Sequence, residues 1–221
     1  MGKTLAIIHT THVTVEPLKD LAAKHLPAHR VINFVDDSIL PQLGQNGGKL
    51  EEVQERLIQY TKNAEALGAD IILNACSSVG EIVPLAREKV SIPVIRIDDA
   101  MAEEAIIRGK RIGVAATLAT TLNPTIRLLK EKAEKFSTQV IFEPVLVEEA
   151  YQRLIKGDKA GHDDLLANML SDLAYRSDLV VLAQASMARV LGKFPKQMQT
   201  KFLTSPELGM ERVKQALEEG K

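Results

Sequence analysis

Short apolar runs alternate along this chain with longer stretches in which apolar residues recur every three or four positions. The short runs are Leu5–Ile8, Val31–Phe34, Ile71–Leu73, Val94–Ile97, Ile112–Ala115, Val140–Phe142, Leu179–Leu182 and Phe202–Thr204. Near-continuous apolarity over four or so residues is what a strand buried on both faces requires. The longer stretches predict helices near Glu16–Lys24, Leu50–Leu67, Val79–Glu88, Asp98–Arg108, Leu118–Lys135, Asp163–Tyr175, Met187–Leu191 and Pro206–Glu218. Regular alternation of the two predicts an α/β protein made of parallel βαβ units. The glycine-bearing segment Val35–Gly48 reads as a loop over the strand edge, either a lid or plain surface.

The two halves share a layout. The first strand ends in Thr10-Thr11-His12, and Ile112–Ala115 runs on to Thr117. Gly68-Ala-Asp70 leads into a strand that ends Asn74-Ala75-Cys76, and Arg176-Ser-Asp178 leads into one that ends Gln184-Ala185-Ser186. This repetition predicts two pseudosymmetric lobes, each a parallel sheet flanked by helices. The first spans residues 1–97, with a C-terminal helix at about 206–221 returning to it; the second spans 98–205.

Parallel sheets place their ligands at the carboxyl ends of the strands. Four strand ends here supply small polar or ionisable groups: Thr10 to His12, Cys76 to Ser78, Thr117 to Thr121, and Gln184 to Ser186. The single cysteine, Cys76, is the most reactive of these. A helix beginning after it would direct free N–H groups and a positive dipole end at the sulfur, which favours thiolate. Ser77 and Ser78 add hydroxyl donors, and Gly80 permits close approach. If the lobes face each other, the four ends line one cleft rich in hydroxyl and N–H donors, suited to a carboxylate and to an enediolate formed beside it. His12 reads equally as a second acid or base or as a satisfied histidine at a strand end. Arg96, Arg153 and Arg189 are candidates for a second carboxylate contact or for surface ion pairs.

Composition narrows the classes. Charged residues make up 26% of the chain and the net charge is −1, with no basic cluster, which argues against nucleic acid. No apolar run approaches membrane-spanning length. The chain enters a strand without a signal-peptide pattern, and its lone cysteine suits a reducing compartment, so a cytoplasmic protein is expected. No dinucleotide or P-loop glycine motif occurs, and the histidines form no helical metal pair, so neither cofactor nor metal is implied.

The segments Ile-Leu-Asn-Ala-Cys76-Ser77-Ser78, Ile112-Gly113-Val-Ala-Ala-Thr117-Leu-Ala-Thr120 and Val180-Val-Leu-Ala-Gln184-Ala185-Ser186 together resemble the aspartate/glutamate (Asp/Glu/hydantoin) racemase superfamily. The resemblance implies two Rossmann-like lobes with the active site in the cleft between them, no cofactor, and a homo-oligomer. It also implies a small carboxylate-bearing substrate and a catalytic cysteine after a strand in each lobe. Cys76 matches the first of these cysteines, and the second is replaced by Gln184, which makes this an atypical single-cysteine member. Glutamine cannot carry a proton near neutral pH but can orient a substrate.

The expected function is therefore cysteine-mediated proton transfer at the carbon α to a carboxylate, an isomerase (racemase or epimerase) reaction. The expected catalytic set is Cys76, Gln184 and His12. The expected substrate-binding set is Thr10, Thr11, Asn74, Ser77, Ser78, Thr117, Thr120, Ala185 and Ser186. The alternatives are a one-cysteine decarboxylase or lyase, and an inactive small-acid binding protein. A depressed Cys76 pKa would favour an enzyme, and an ordinary or raised one would favour the binding protein.

Overall fold

The computed structural model describes residues 2–219. Met1 and residues 220–221, which fall within the lobes drawn from the sequence, lie outside the described residues. Contacts divide the chain into two compact units, Met1–Ile97 with Pro206–Lys221, and Asp98–Ser205. The fold class is α/β, with a four-stranded parallel sheet in each unit.

The first unit holds β1 (Thr4–His9), β2 (Arg30–Val35), β3 (Ile71–Asn74) and β4 (Val94–Arg96), ordered β2-β1-β3-β4. Its connections carry α1 (Val15–His25), α2 (Ile39–Gln45), α3 (Glu51–Ala66) and α4 (Val83–Arg87). The two-residue period of a strand sends Ala6, Ile8 and Ile72 to one face, against Ile39 and Leu43 of α2 and Val53 and Leu57 of α3. Leu5, Ile7, Ile71 and Leu73 point the other way, against Leu18 and Ala22 of α1. Both faces of the central strands are covered, which is why their sequences show no polar alternation.

The second unit begins with α5 (Asp99–Arg108), β5 (Arg111–Ala116), α6 (Ala119–Lys135) and β6 (Ile141–Leu146). It continues with α7 (Glu148–Ile155), α8 (Lys159–Arg176), β7 (Leu179–Leu182), α9 (Lys196–Gln199) and β8 (Phe202–Thr204). Its sheet order is β6-β5-β7-β8. Pro144 cannot donate to a ladder, and it lies in the edge strand β6. Leu166, Leu170 and Leu173 of α8 cover one face of this sheet together with Ala115, Val180 and Leu182. On the other side, Lys132 of α6 lies in a salt bridge with Asp99 and Glu103 of α5, at 2.9 and 3.0 Å. From there α10 (Ser205–Glu219) carries the chain back into the first unit, where Met210, Val213 and Leu217 complete the α1 layer.

The repeated aspartates have one job. Asp70 Oδ2 accepts the Thr4 N–H at 2.6 Å, and Asp178 Oδ2 accepts the Arg111 N–H at 2.8 Å. Each tethers the start of one central strand to the start of its neighbour.

Three local expectations change. Val35–Gly48 is not all loop: it contains α2, because Ile39 and Leu43, one turn apart, are both buried in the core. Helix α7 escaped the sequence pattern because only Ala150 of its eight residues is buried. The helices expected from Val79 and over Met187–Leu191 are replaced by 3₁₀ segments, Ser77–Ile82 before α4 and Ala185–Lys193 after β7.

Close docking of α10 depends on Gly209. A Cβ there would lie 2.7 Å from the Ile97 carbonyl oxygen and 3.2 Å from its Cα, backbone atoms that cannot move aside. Gly209→Ala is expected to cost roughly 1–3 kcal/mol, as overpacked cores do. Gly192→Ala, at a position with open space around it, should change little. Urea denaturation of both variants measures the difference.

Candidate active site

In the first unit the carboxyl ends of β1 and β3 lie side by side. Ile8 pairs with Asn74, and the Ala75 N–H donates to the Ile8 carbonyl at 2.9 Å. Two residues beyond that pair stand Thr10 and Cys76. Asn74 shapes the turn by accepting the Cys76 N–H on Oδ1 at 3.1 Å, and it is itself buried. Thr11 caps the 3₁₀ turn His12–Thr14, accepting the Val13 N–H at 3.4 Å. His12 is exposed on that turn.

Cys76 keeps some exposed surface, yet its neighbours crowd the sulfur. Burial is the dominant influence on the thiol and pushes its pKa above the ordinary value of 9.0. Hydrogen bonds from the Thr10 hydroxyl, the Ser78 N–H and hydroxyl, and the Val79 N–H all pull the other way. Of the N–H groups expected after the cysteine, that of Val79 donates to the Cys76 carbonyl, at 3.3 Å. Desolvation outweighs these donors, so the thiol pKa moves up rather than in the depressed direction expected from them. The Thr10 hydroxyl is buried with no hydrogen bond of normal geometry, and lies close enough to Cys76 to oppose the rise in its pKa. Ser77 and Ser78 are buried in the same turn. The Arg96 guanidinium packs against Gly80, where an added Cβ would force it to shift.

The sequence reading missed His9. It is the last residue of β1, fully buried, with Nδ1 2.8 Å from Thr14 Oγ1 and Nε2 2.9 Å from Asn33 Oδ1. Thr14 in turn donates to the Thr11 carbonyl at 3.2 Å. The imidazole therefore joins β1, the turn carrying Thr11 and His12, and β2. A histidine ending an otherwise apolar run, beside Thr10, was the available signal.

The second unit repeats this framework with different chemistry. Ala115 pairs with Leu182, and the Ala183 N–H donates to the Ala115 carbonyl at 2.9 Å. Counting two residues on, Thr117 occupies the position of Thr10, and Gln184 that of Cys76. Gln184 Oε1 accepts both the Thr117 N–H, at 2.6 Å, and the Thr117 hydroxyl, at 3.0 Å. A backbone N–H can only donate, so the amide orientation is determined and its NH₂ group points away from Thr117. Both donors of Thr117 are thus directed at Gln184. Thr120 lies half-buried in the first turn of α6, and Ala185 and Ser186 are half-buried at the start of the 3₁₀ segment Ala185–Lys193. The first N–H groups of such a segment lack intrahelical partners.

Beside that segment lies a second unforeseen cluster. His162 Nδ1 is 2.7 Å from Asp163 Oδ1, while Asp163 Oδ2 accepts two bonds from Arg189, at 2.9 and 3.1 Å. His162 Nε2 is buried without a partner. Of the two roles open to Arg153 and Arg189, carboxylate contact or ion pair, the structure shows the ion pair: Arg153 with Glu149 and Asp158, Arg189 with Asp163.

The pattern of the Asp/Glu/hydantoin racemase family matches residues 7–213. The chain belongs to that family. It is 29% identical over 196 residues to a glutamate racemase of Aliivibrio fischeri, covering 87% of this chain and 73% of that one. Its fold is similar to that of glutamate racemase isoform RacE1 from Bacillus anthracis, with a TM-score of 0.77 at 17% identity, covering 99% of this chain and 82% of the other. It is also similar to an arylmalonate decarboxylase mutant in a sulfate-associated form, with a TM-score of 0.62 at 14% identity over 99% and 94% of the two chains. Among the described residues of this racemase-family chain, no helix is long and apolar enough to cross a membrane.

Burial lowers the His9 pKa below 6.5, against a smaller opposing effect from Asn33. The folded protein then binds fewer protons than the unfolded chain as pH drops below 6.5, so this contribution to stability is complete above that value and is lost on acidification toward the folded pKa. Wild type should lose more stability than His9→Gln between pH 7.5 and 5.5, read as the shift in urea midpoint.

Proposed function

We propose that this chain is a cofactor-independent enzyme that moves a proton at the carbon beside the carboxylate of a small acid or amino acid, with Cys76 as the proton carrier. The observation that carries the reading is the equivalence of Cys76 and Gln184 at matching strand ends. One position holds a group that titrates, and the other holds a neutral amide whose oxygen is already engaged by Thr117. In this reading Thr10 and Ser78 adjust the thiol, and Asn74 shapes its turn. Thr11, Ser77, Thr120, Ala185 and Ser186 bind the carboxylate. The Gln184 NH₂ group donates to a substrate oxygen as negative charge develops there. Glutamate is the first substrate to test, because the Aliivibrio relative is a glutamate racemase.

Racemisation needs a proton removed from one face and another returned to the opposite face. Cys76 serves one face, and His12, exposed on its turn, is the candidate for the other. The raised thiol pKa is the outcome expected of the small-acid binding protein, and among the enzyme readings it is compatible with a one-cysteine lyase, which uses the thiol rather than the thiolate. A thiol that stays protonated at neutral pH is a proton donor to a planar intermediate, and that step needs no second carrier.

The decisive experiment follows α-proton loss by NMR in deuterated buffer over a panel of amino, hydroxy and dicarboxylic acids. Wild type should exchange at least one of them. Cys76→Ala should slow that exchange by about 10²–10⁴-fold, the usual worth of a general acid or base. Gln184→Ala should lower kcat/KM by roughly 10–100-fold, as loss of a hydrogen bond to a charged group does. The pH profile separates the two chemistries. A thiolate base gives a rate that rises through pH 9 and beyond, whereas a thiol acid gives one that falls there. Binding without exchange or product would establish the small-acid binding protein instead.

A further inference from the structure

Three potential metal ligands meet on the layer formed by α1 and α10, away from the loops that follow β1 and β3. They are His25, the last residue of α1, and Glu207 and Glu211, one turn apart on α10. One ligand atom from each lies within 4.8 Å of both others. We propose that these residues form a binding site for a late first-row divalent cation such as Zn²⁺, clipping α10 to α1.

The imidazole is held in place: its side chain is only 13% exposed, and Nε2 lies 2.8 Å from Glu207 Oε1. A carboxylate can only accept, so Nε2 carries the hydrogen in this state, and a bound metal ion takes that hydrogen's place and releases a proton. Glu207 already draws a cation, the Lys24 ammonium at 2.6 Å. Lys24 is 65% exposed and free to swing into water. Glu211, exposed, makes no hydrogen bond or ion pair among the described residues. Its charge completes a set of two carboxylates and one imidazole, with water left to fill the remaining coordination positions. The nitrogen ligand selects against Mg²⁺ and Ca²⁺, which prefer oxygen throughout. His25 also sits at the carbonyl end of α1, where the helix dipole favours positive charge.

The site would join two segments far apart in the chain. Helix α10 arrives only after the whole second unit has been threaded, so a clip between it and α1 holds the returning segment in place. It is independent of the proposed chemistry at Cys76.

The test is calorimetric titration of the full chain with Zn²⁺ and with Mg²⁺, with Cys76→Ser as background to remove the thiol as a competing ligand. One Zn²⁺ per chain is expected, with proton release seen as a buffer-dependent heat, and no Mg²⁺ uptake. Glu211→Gln and His25→Asn should each weaken binding at least tenfold, while Lys24→Met should tighten it. At a tenfold excess over Kd, Zn²⁺ should raise Tm by roughly 3–6 °C, and amide exchange in α10 should slow. Glu211 is exposed, so its variant is expected to fold, and circular dichroism checks this. Unchanged Zn²⁺ affinity in Glu211→Gln, or no tightening in Lys24→Met, overturns the assignment.

Discussion

Parallel pairing of two central strands, β1 with β3 and β5 with β7, is the constraint on which the polar chemistry of this protein rests. These strands are buried on both faces, so their side chains are committed to packing. Reactive groups can appear only where the strands end. In both units the ladder closes with the same hydrogen bond, Ala75 to Ile8 and Ala183 to Ala115, each 2.9 Å. That bond determines which residues come next to each other: Thr10 with Cys76, and Thr117 with Gln184.

One backbone thus serves two side-chain chemistries. In the first unit a threonine hydroxyl faces a thiol, and burial competes with several donors for control of its proton. In the second the equivalent threonine faces an amide, and both of its donors converge on one oxygen. The framework tolerates the exchange because sulfur and an amide oxygen can each accept from that threonine. What changes is titration. The thiol can exist in two protonation states and the amide in one, so the framework is symmetric while its proton chemistry is one-sided.

Buried polar groups around these ends hold them in place. His9 ties β1 to the Thr11 turn and to β2, and Asp163 ties His162 to Arg189 beside the segment after Gln184. Neither network is a local pattern: Asn33 is 24 residues from His9, and Arg189 is 26 from Asp163. Nothing in the spacing of these residues announced that they would meet. Helices α2 and α7 were hidden for a different reason, since glycines and charges masked the few positions that face the core.

Apolar periodicity by itself determined the α/β class, the eight strands and the longer helices, because burial on two faces leaves an unmistakable run of side chains. Repetition within the chain, from Asp70 and Asp178 to the paired strand ends, also determined that Gln184 would stand at the strand end matching that of Cys76. Tertiary structure alone decided the direction in which the thiol pKa moves. Adjacent N–H donors are legible in sequence, but the desolvation that outweighs them comes from atoms contributed by distant segments. It alone decided that His25 meets Glu207, 182 residues away, and that both Thr117 donors reach the Gln184 amide oxygen. Such outcomes depend on the distances between segments, and those are set only when the layers pack.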